Sequence, residues 1–386
     1  MPGTTHDHRD TRTHLVHLAD QRRSRTDSHG IINFSLGLTR ALPAALGSDR
    51  LVVSVNDELI DELGRDFLRP DDRIVVVPAP ETTAQRLALD HHRVLRAAHD
   101  AGADTVFYPK GFLPIRTGRS HRSFAQVICL HDDIPMRLAQ DPQTPRSRRL
   151  RLQYFAGLTR WSMRAADRRL FVSDFSRRQL LARTGSERDD DVVTHEGIAL
   201  PTVPYVRLAD RRRQAVVLGS DHVHKRTAAG LDLIQADARC RQELDRIVVL
   251  GSLGGASADA GPIPIEHRPA PLADLDLSQL IAESRALVYP SNYEGFGLPP
   301  IEALSLGTPT VFRRTGASAE VLGDAPGAFA DESSGAFAAA VAEALALDDD
   351  ALERWREDIA ADFDWSVVAE RVARALHGAE PRHRRG

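Results

Sequence analysis

Short β-branched runs alternate along this chain with helix-patterned stretches, and that alternation restricts it to βαβ units and parallel sheets. The runs fall at Leu51–Val55, Arg73–Val77, Thr105–Tyr108, Phe124–Leu130, Leu170–Val172 and Asp191–Thr194. Helical patterns such as Thr82–Asp100 and Ser147–Ala166 lie between them. The pattern lapses around 199–213, where ALPTVPYVRLADRRR holds prolines and then an arginine run. It resumes with strands at Ala215–Leu218, Arg246–Leu250, Ala286–Tyr289 and Thr310–Phe312. Helices fit Thr227–Ala238, Ser278–Ser284, Pro299–Leu306 and Gly335–Ala346, and a last one fits Trp365–Leu376. The 386 residues suit two domains of about 150–200 residues each. The expectation is an α/β protein of two Rossmann-like parallel-sheet domains, 13–203 and 204–364, facing across a cleft. A helical segment follows at 365–378, and the polar, aperiodic ends at 1–12 and 379–386 read as disordered. Open α/β sheets bind ligands at the carboxyl ends of their strands, so the chemistry is sought on the loops that follow strands.

Composition narrows the class. Hydrophobic residues make up 42% and charged residues 27%, as in a globular protein. The formal net charge of −4 supplies no field for nucleic acid. No apolar run reaches the roughly 18 residues of a membrane span. The start, MPGTTHDHRDTRTH, lacks the apolar core of a secretory signal. Cys129 and Cys240 have no CxxC spacing and read as buried, reduced thiols, so the expected compartment is the cytoplasm. Of 50 basic residues only Lys110 and Lys225 are lysines. A lysine kept in so arginine-biased a chain marks a place where a compact, strongly hydrated point charge on a flexible stem matters.

The most informative segment runs from Ala286 to Val311, ALVYPSNYEGFGLPPIEALSLGTPTV. A strand leads into a loop of turn formers, Pro290 to Gly297. A helix then begins near Pro299, whose missing N–H costs nothing in a first turn. Gly307 and Pro309 end that helix. The loop Glu294-Gly295-Phe296-Gly297-Leu298 therefore lies over a helix N-terminus, where backbone N–H groups and the helix dipole favour a diphosphate. Glu294 and Glu302 stand eight positions apart and can both face one ligand. Carboxylates suit sugar and ribose hydroxyls through charge-assisted hydrogen bonds.

This block resembles the E-x7-E signature of the family-4 glycosyltransferases, a retaining group with the GT-B fold. The resemblance extends from about 28 to 376 and is strongest from Gly219 through Val311. It implies that Glu302 holds the nucleotide ribose and that Glu294 contacts the donor sugar or its phosphate side. The amides of Phe296, Gly297 and Leu298, next to Gly295, would face the sugar and diphosphate. Gly219-Ser220-Asp221-His222-Val223-His224-Lys225-Arg226 resembles the family's phosphate loop, with Lys225 on the diphosphate. The family often places an arginine where His224 or Ser220 stands here, and Arg226 is the candidate to compensate. His131-Asp132-Asp133-Ile134-Pro135 resembles the H-D-x-I-P loop. This makes His131 a sugar contact and Asp132 an acceptor-side base or a loop-ordering partner. Ser173-Asp174-Phe175-Ser176 resembles a V-S-x-F-S element in which Ser173 caps a helix, with a secondary acceptor or phosphate contact. Gly30-Ile31-Ile32 resembles an N-terminal G-I-G loop whose second glycine is replaced by Ile32. Lys110 lines the acceptor side or is solvated on its loop. The segment 365–378 is expected to cross back to the first domain.

The resemblance implies transfer of a hexose from a nucleotide-diphosphate sugar to a hydroxyl acceptor, a free sugar or a lipid-linked glycan, with retention. GDP-mannose or a dTDP- or UDP-sugar is the expected donor. No D-x-D stands in a strand-loop setting, so neither metal nor other cofactor is expected. The stretch Arg146–Arg164 interleaves arginines with Tyr154, Phe155, Trp161 and Met163. It packs its aromatic face on the first domain or lies peripherally on the inner face of a membrane. The alternative functions are a nucleotide-sugar epimerase of the same fold and a catalytically degenerate sugar-nucleotide-binding scaffold.

Overall fold

The structure, a computed structural model, describes residues 11–25, 29–82, 85, 92–114, 123–142, 144–199, 201–259 and 261–382. The expectations for 1–10 and 383–386, and for 83, 84 and 86–91 of the Thr82–Asp100 helix, lie outside the described residues; the end of that stretch is the helix Val94–Asp100. The chain divides into two units. One comprises the chain up to Gly197 and again from Trp365 onward; the other is Ile198–Asp364.

The first unit holds β1 (Thr13–His17), β2 (Arg50–Asn56), β3 (Arg73–Val77), β4 (Thr105–Tyr108), β5 (Ala125–Leu130), β6 (Arg168–Phe171) and β7 (Val192–Val193). They form one sheet in the order β3-β2-β1-β4-β5-β6-β7, every pair parallel. Strands buried on both faces read as continuous apolar runs, as AQVICL in β5 does. Leu15, Val106, Ile128 and Phe171 pack there with Ala156 and Met163 of the helix Arg146–Ala165. β1 is a strand that the sequence pattern did not mark, because His14 and His17 make THLVH look polar. His14 is nevertheless fully buried, its ring bonded to Thr105 Oγ1 at 2.7 Å and Asp49 Oδ2 at 3.1 Å.

Gly30–Phe34, expected as a loop, is the start of the helix His29–Ala45. Ile32 is buried there in helical conformation, so its side chain meets no positive-φ requirement. The terminal helix Trp365–His377 belongs to this unit and packs on the helix His29–Ala45. A Cβ added at Gly37 would come within 2.4 Å of the Trp365 ring, and one at Gly197 within 2.3 Å. Both glycines are fixed by that close approach.

The second unit holds β8 (Arg212–Gly219), β9 (Arg246–Gly251), β10 (Ile265–Arg268), β11 (Ser284–Tyr289), β12 (Thr310–Arg313) and β13 (Ala328–Phe329). They form a parallel sheet in the order β10-β9-β8-β11-β12-β13. Val217, Val249, Val288 and Val311 pack with Phe337 and Val341 of the helix Ser334–Leu345. The unsignalled strands β10 and β13 are the two edges, one polar (IEHR) and one of two residues. The units divide after Gly197, not after 203 as expected. Ile198 N–H donates to Phe363 O at 2.9 Å, and Tyr205 OH to Asp349 at 2.8 Å, so this segment packs into the second unit. Asp348 caps the helix Asp349–Asp362 by accepting from Ala351 N–H at 2.8 Å.

Candidate active site

In the second unit β8 and β11 are neighbours, which sets the loops after them side by side. Gly219 ends β8 where a Cβ would stand 2.1 Å from Ser252 O, so only glycine fits. The chain then makes a short 3-10 turn, Val223–Lys225, and Arg226 sits at φ 52° before the helix Thr227–Ala236. Thr227 Oγ1 ties this loop closed by accepting from Ser220 N–H at 3.0 Å. Two bonds lace it to the loop after β11: Asn292 N–H and Ser291 Oγ both donate to His224 O, at 2.9 and 3.1 Å.

This lacing delivers Lys225 to Glu294. Lys225 Nζ stands 2.8 Å from Glu294 Oε1 and 3.0 Å from Tyr289 OH, and Tyr289 OH donates to the same carboxylate oxygen at 2.8 Å. Glu294 is the alternative acceptor for the one hydroxyl hydrogen of Ser291. Burial alone would raise the Glu294 pKa, but the Lys225 charge and its hydrogen bond outweigh burial and hold the carboxyl below its ordinary value. Burial acts against the Lys225 ammonium, and Tyr289 with Glu294 outweighs it, so the lysine is held above its ordinary value. Burial pushes the Tyr289 phenol up. At neutral pH the group is thus an ion pair with a neutral phenol beside it.

Gly297, at φ 94°, caps the helix Leu298–Ser305 without a side-chain bond. Pro299 and Pro300 bring no N–H to the first turn, which leaves Leu298 as its donor. The Phe296 ring is buried edge-on against Phe363 at 5.8 Å, so the side chain anchors the loop while Gly295 and Gly297 flank it. Glu302, in the helix's second turn, is buried. Gly307 follows the helix at φ 73°, and Thr308 N–H returns to Ala303 O at 2.8 Å. Arg226 is turned elsewhere. Its Nε donates to Glu332 at 2.7 Å, and Arg313 joins the same carboxylate at 2.6 Å.

In the first unit His131 and Asp132 follow β5. The His131 ring lies 2.8 Å from Glu196 Oε1 through Nδ1 and 2.8 Å from Pro109 O through Nε2, with Phe34 edge-on at 4.8 Å. Burial acts to lower its pKa, but Glu196 outweighs burial and the imidazole is held above its ordinary value. Both ring nitrogens are engaged within the unit, so a sugar hydroxyl would have to displace one of them. Asp132 Oδ1 accepts from Ile134 N–H at 2.8 Å, which orders its loop. Ser173 Oγ accepts from Ser176 N–H at 3.0 Å and caps the helix Asp174–Thr184. Lys110 Nζ stands 3.4 Å from Asp20 Oδ2. Gly30 is exposed, and a Cβ there would meet nothing within 4 Å.

Sequence reasoning missed Tyr289, Ser291, Glu332 and Glu196. Tyr289 and Ser291 lay within the informative block and could have been found as hydroxyls beside Glu294. Glu196 is 65 residues from His131, a distance no local pattern bridges. Both cysteines are buried and free. Among the described residues no group of three or more His, Cys, Asp or Glu side chains could hold a metal ion, and no helix is long and apolar enough to cross a membrane.

Residues 271–362 match the family of glycosyl transferases group 1. The O-antigen chain mannosyltransferase B of Escherichia coli is 27% identical over 335 residues, covering 77% of this chain and 81% of its own. The MMP α-(1→4)-mannosyltransferase of Mycolicibacterium hassiacum is 39% identical over 98 residues, only 24% of each chain. The chain carries a glycosyl transferases group 1 domain in its second unit. Its two parallel-sheet units give it the GT-B fold. The crystal structure of HepE from Anabaena in complex with UDP-glucose has that fold too, with a TM-score of 0.63 at 13% identity over 95% of this chain and 99% of HepE. Within this chain the family match includes Glu294 and Glu302 but stops short of Lys225 and of the whole first unit.

Proposed function

We propose that this protein is a glycosyltransferase that moves a hexose, mannose foremost, from a nucleotide-diphosphate sugar to a hydroxyl acceptor with retention. The observation that carries this reading is the Lys225–Glu294 ion pair, 2.8 Å long, set beside a glycine-flanked helix start. A donor diphosphate replaces the carboxylate as the lysine's partner. The ammonium then stabilises the charge that builds on the departing nucleotide diphosphate, and no metal is needed for that charge. Glu294, released, accepts from the sugar's hydroxyls, and Glu302 accepts from the ribose. The Gly219, Gly295 and Gly297 backbones and the Phe296 and Leu298 amides line the diphosphate, while Arg226 with Glu332 holds the loop. No side chain of the group is assigned as a covalent nucleophile. Front-face displacement assisted by the leaving phosphate is the economical course. The first unit supplies the acceptor side through Gly30, Lys110, Asp132, His131 and Ser173.

The mannosyltransferase names of the two relatives support mannose, and HepE's UDP-glucose supports a nucleotide sugar. A lipid-linked glycan is the favoured acceptor, met at the inner face of the membrane from the cytoplasm. The exposed Leu150 and Tyr154, on a helix that also carries Arg146, Arg148 and Arg151, support such peripheral contact.

A thermal-shift screen of GDP-mannose, UDP-glucose and dTDP-rhamnose tests the donor. One of them is expected to raise the melting temperature of the wild type, and Glu302→Ala to abolish the shift in a folded protein. Acceptor-dependent release of the nucleotide diphosphate then establishes transfer. An epimerised sugar formed without acceptor would replace this reading with the epimerase, and binding without turnover would replace it with the scaffold.

A further inference from the structure

Among the described residues two that are not glycine have φ in the left-handed region, Arg226 at 52° and His195 at 63°. Such a conformation costs energy and persists where the surroundings over-determine it. Arg226 adjoins Lys225. His195 adjoins Glu196, which none of the preceding roles uses. Arg371 Nη1 holds this segment through Thr194 O at 3.3 Å and His195 Nδ1 at 3.1 Å, and Gly197 abuts the Trp365 ring. The backbone is thus clamped on both sides of one carboxylate, and that carboxylate points at His131.

The hydrogen-bond inventory of the His131 ring leaves little freedom. A carbonyl oxygen only accepts, so the nitrogen 2.8 Å from Pro109 O carries a hydrogen. The other nitrogen lies 2.8 Å from a Glu196 oxygen. Two lone pairs at that separation repel, so a proton lies between them. The ring and the carboxylate together therefore hold one proton more than a neutral imidazole beside a bare carboxylate. We propose that Glu196 is a positioning residue: by keeping a proton on both nitrogens of His131 it fixes the Pro109 carbonyl and, through it, the Lys110 that follows. Calling that lysine acceptor-side rests on the reading above; the geometry does not.

The surroundings favour the proton staying. Both side chains are almost fully buried. Phe34 closes one side of the ring, and Ser176 Oγ donates to His131 O at 2.7 Å. Asp132, the neighbouring carboxylate, adds negative potential, and Asp133 is matched by Arg183. Lys110 is matched by Asp20 at 3.4 Å. The Cys129 thiol is kept neutral by burial and by Glu196 itself. The same contacts hold the imidazole pKa up against burial. Pro109 is in turn a stiff handle on Lys110, because Gly111, at φ 83°, turns the chain where a Cβ would stand 2.7 Å from Cys129 O.

The composition makes the test clean, since Lys110 and Lys225 are the chain's two lysines. Reductive ¹³C-methylation gives one NMR signal for each, and Lys110→Arg assigns them. Histidine labelled with ¹⁵N reports the His131 ring. In the wild type, His131 is expected to lose its proton above the ordinary histidine value of about 6.5, and the Lys110 signal to move in step. Glu196→Gln should lower the His131 pKa yet leave the Lys110 signal in place across that range. An amide N–H can donate to Nδ1 without the extra proton. Glu196→Ala should displace the Lys110 signal at every pH while Lys225 stays. A His131 pKa below the ordinary value, or a Lys110 signal blind to the His131 titration, overturns the proposal. So does a Lys110 signal unmoved in the folded alanine variant. Should the alanine variant not fold, the wild-type titration and the glutamine variant decide. These signals need no sugar, so failure of the glycosyltransferase reading would show separately, as absent nucleotide release.

Discussion

At the scale of single residues, Lys225 and Glu294 have to be treated as one group. Each holds the other charged against burial, and each is bonded to the same phenol. Lys225→Met therefore does two separable things. It removes the cation that meets the leaving diphosphate, for which a loss of about 10²–10³-fold in turnover is expected. It also strands a carboxylate that is 15% exposed beside a lysine that is 25% exposed. Stability should fall by about 2–3 kcal/mol, less than for a fully buried pair because the lysine keeps some contact with water. Adding Glu294→Gln should restore most of that stability in urea denaturation and none of the turnover. If the double variant stays as unstable as the single one, the pair is not what holds these loops. His131 carries the pH dependence. Its folded-state pKa is raised, so its stabilising contribution is complete below the unfolded value of about 6.5 and is lost as pH rises through the folded value. The gap in urea midpoint between wild type and Glu196→Gln should accordingly be widest in mild acid and close toward alkaline pH. A gap that widens with pH would reverse the sign.

At the scale of elements, two glycines on one helix make opposite demands. Gly37 has the Trp365 ring where its Cβ would go, whereas Gly30 has open space. Gly37→Ala should cost about 1–3 kcal/mol by forcing the terminal helix off its seat. Gly30→Ala should be neutral or stabilise by up to about 1 kcal/mol, as alanine replaces glycine in a helix. Denaturant titration of both variants checks the contrast, and a destabilised Gly30→Ala would mean that this segment is not helical in solution. The same helix shows where the sequence misled. A glycine followed by isoleucines reads as a loop, but Ile32, Phe34, Leu36 and Leu38 all bury into the unit and carry the helix with them. Strands were legible wherever apolar residues dominated, as in β3 and β4, found to the residue. They were illegible where polar side chains are satisfied through space, as for His14 in β1. The Ala286–Val311 block was legible because the strand end, the glycines and the helix start are all local. The partners of its charges were not, since Lys225 reaches Glu294 only once β8 and β11 lie side by side, just as His131, after β5, reaches Glu196, after β7, only across the intervening β6.

At the scale of the whole chain, each unit has its own fully parallel sheet and its own cluster of buried side chains. Lys225, Glu294 and Glu302 all belong to Ile198–Asp364. A ligand stabilises only the folded body that binds it, by about 2.7 kcal/mol at one hundred times its dissociation constant. For a body of this size that is about 5–10 °C in melting temperature. The chain's three tryptophans can report on the bodies separately, because Trp161 and Trp365 lie in one unit and Trp355 in the other. With 5-fluorotryptophan incorporated, three ¹⁹F signals can be followed through a melt, each assigned by its Trp→Phe variant. GDP-mannose, or whichever donor the screen selects, is expected to delay the loss of the native Trp355 signal and leave those of Trp161 and Trp365 where they were. A delay confined to Trp161 and Trp365 would place the nucleotide on the first unit. The Lys225–Glu294 pair would then be an internal clasp with no diphosphate to receive.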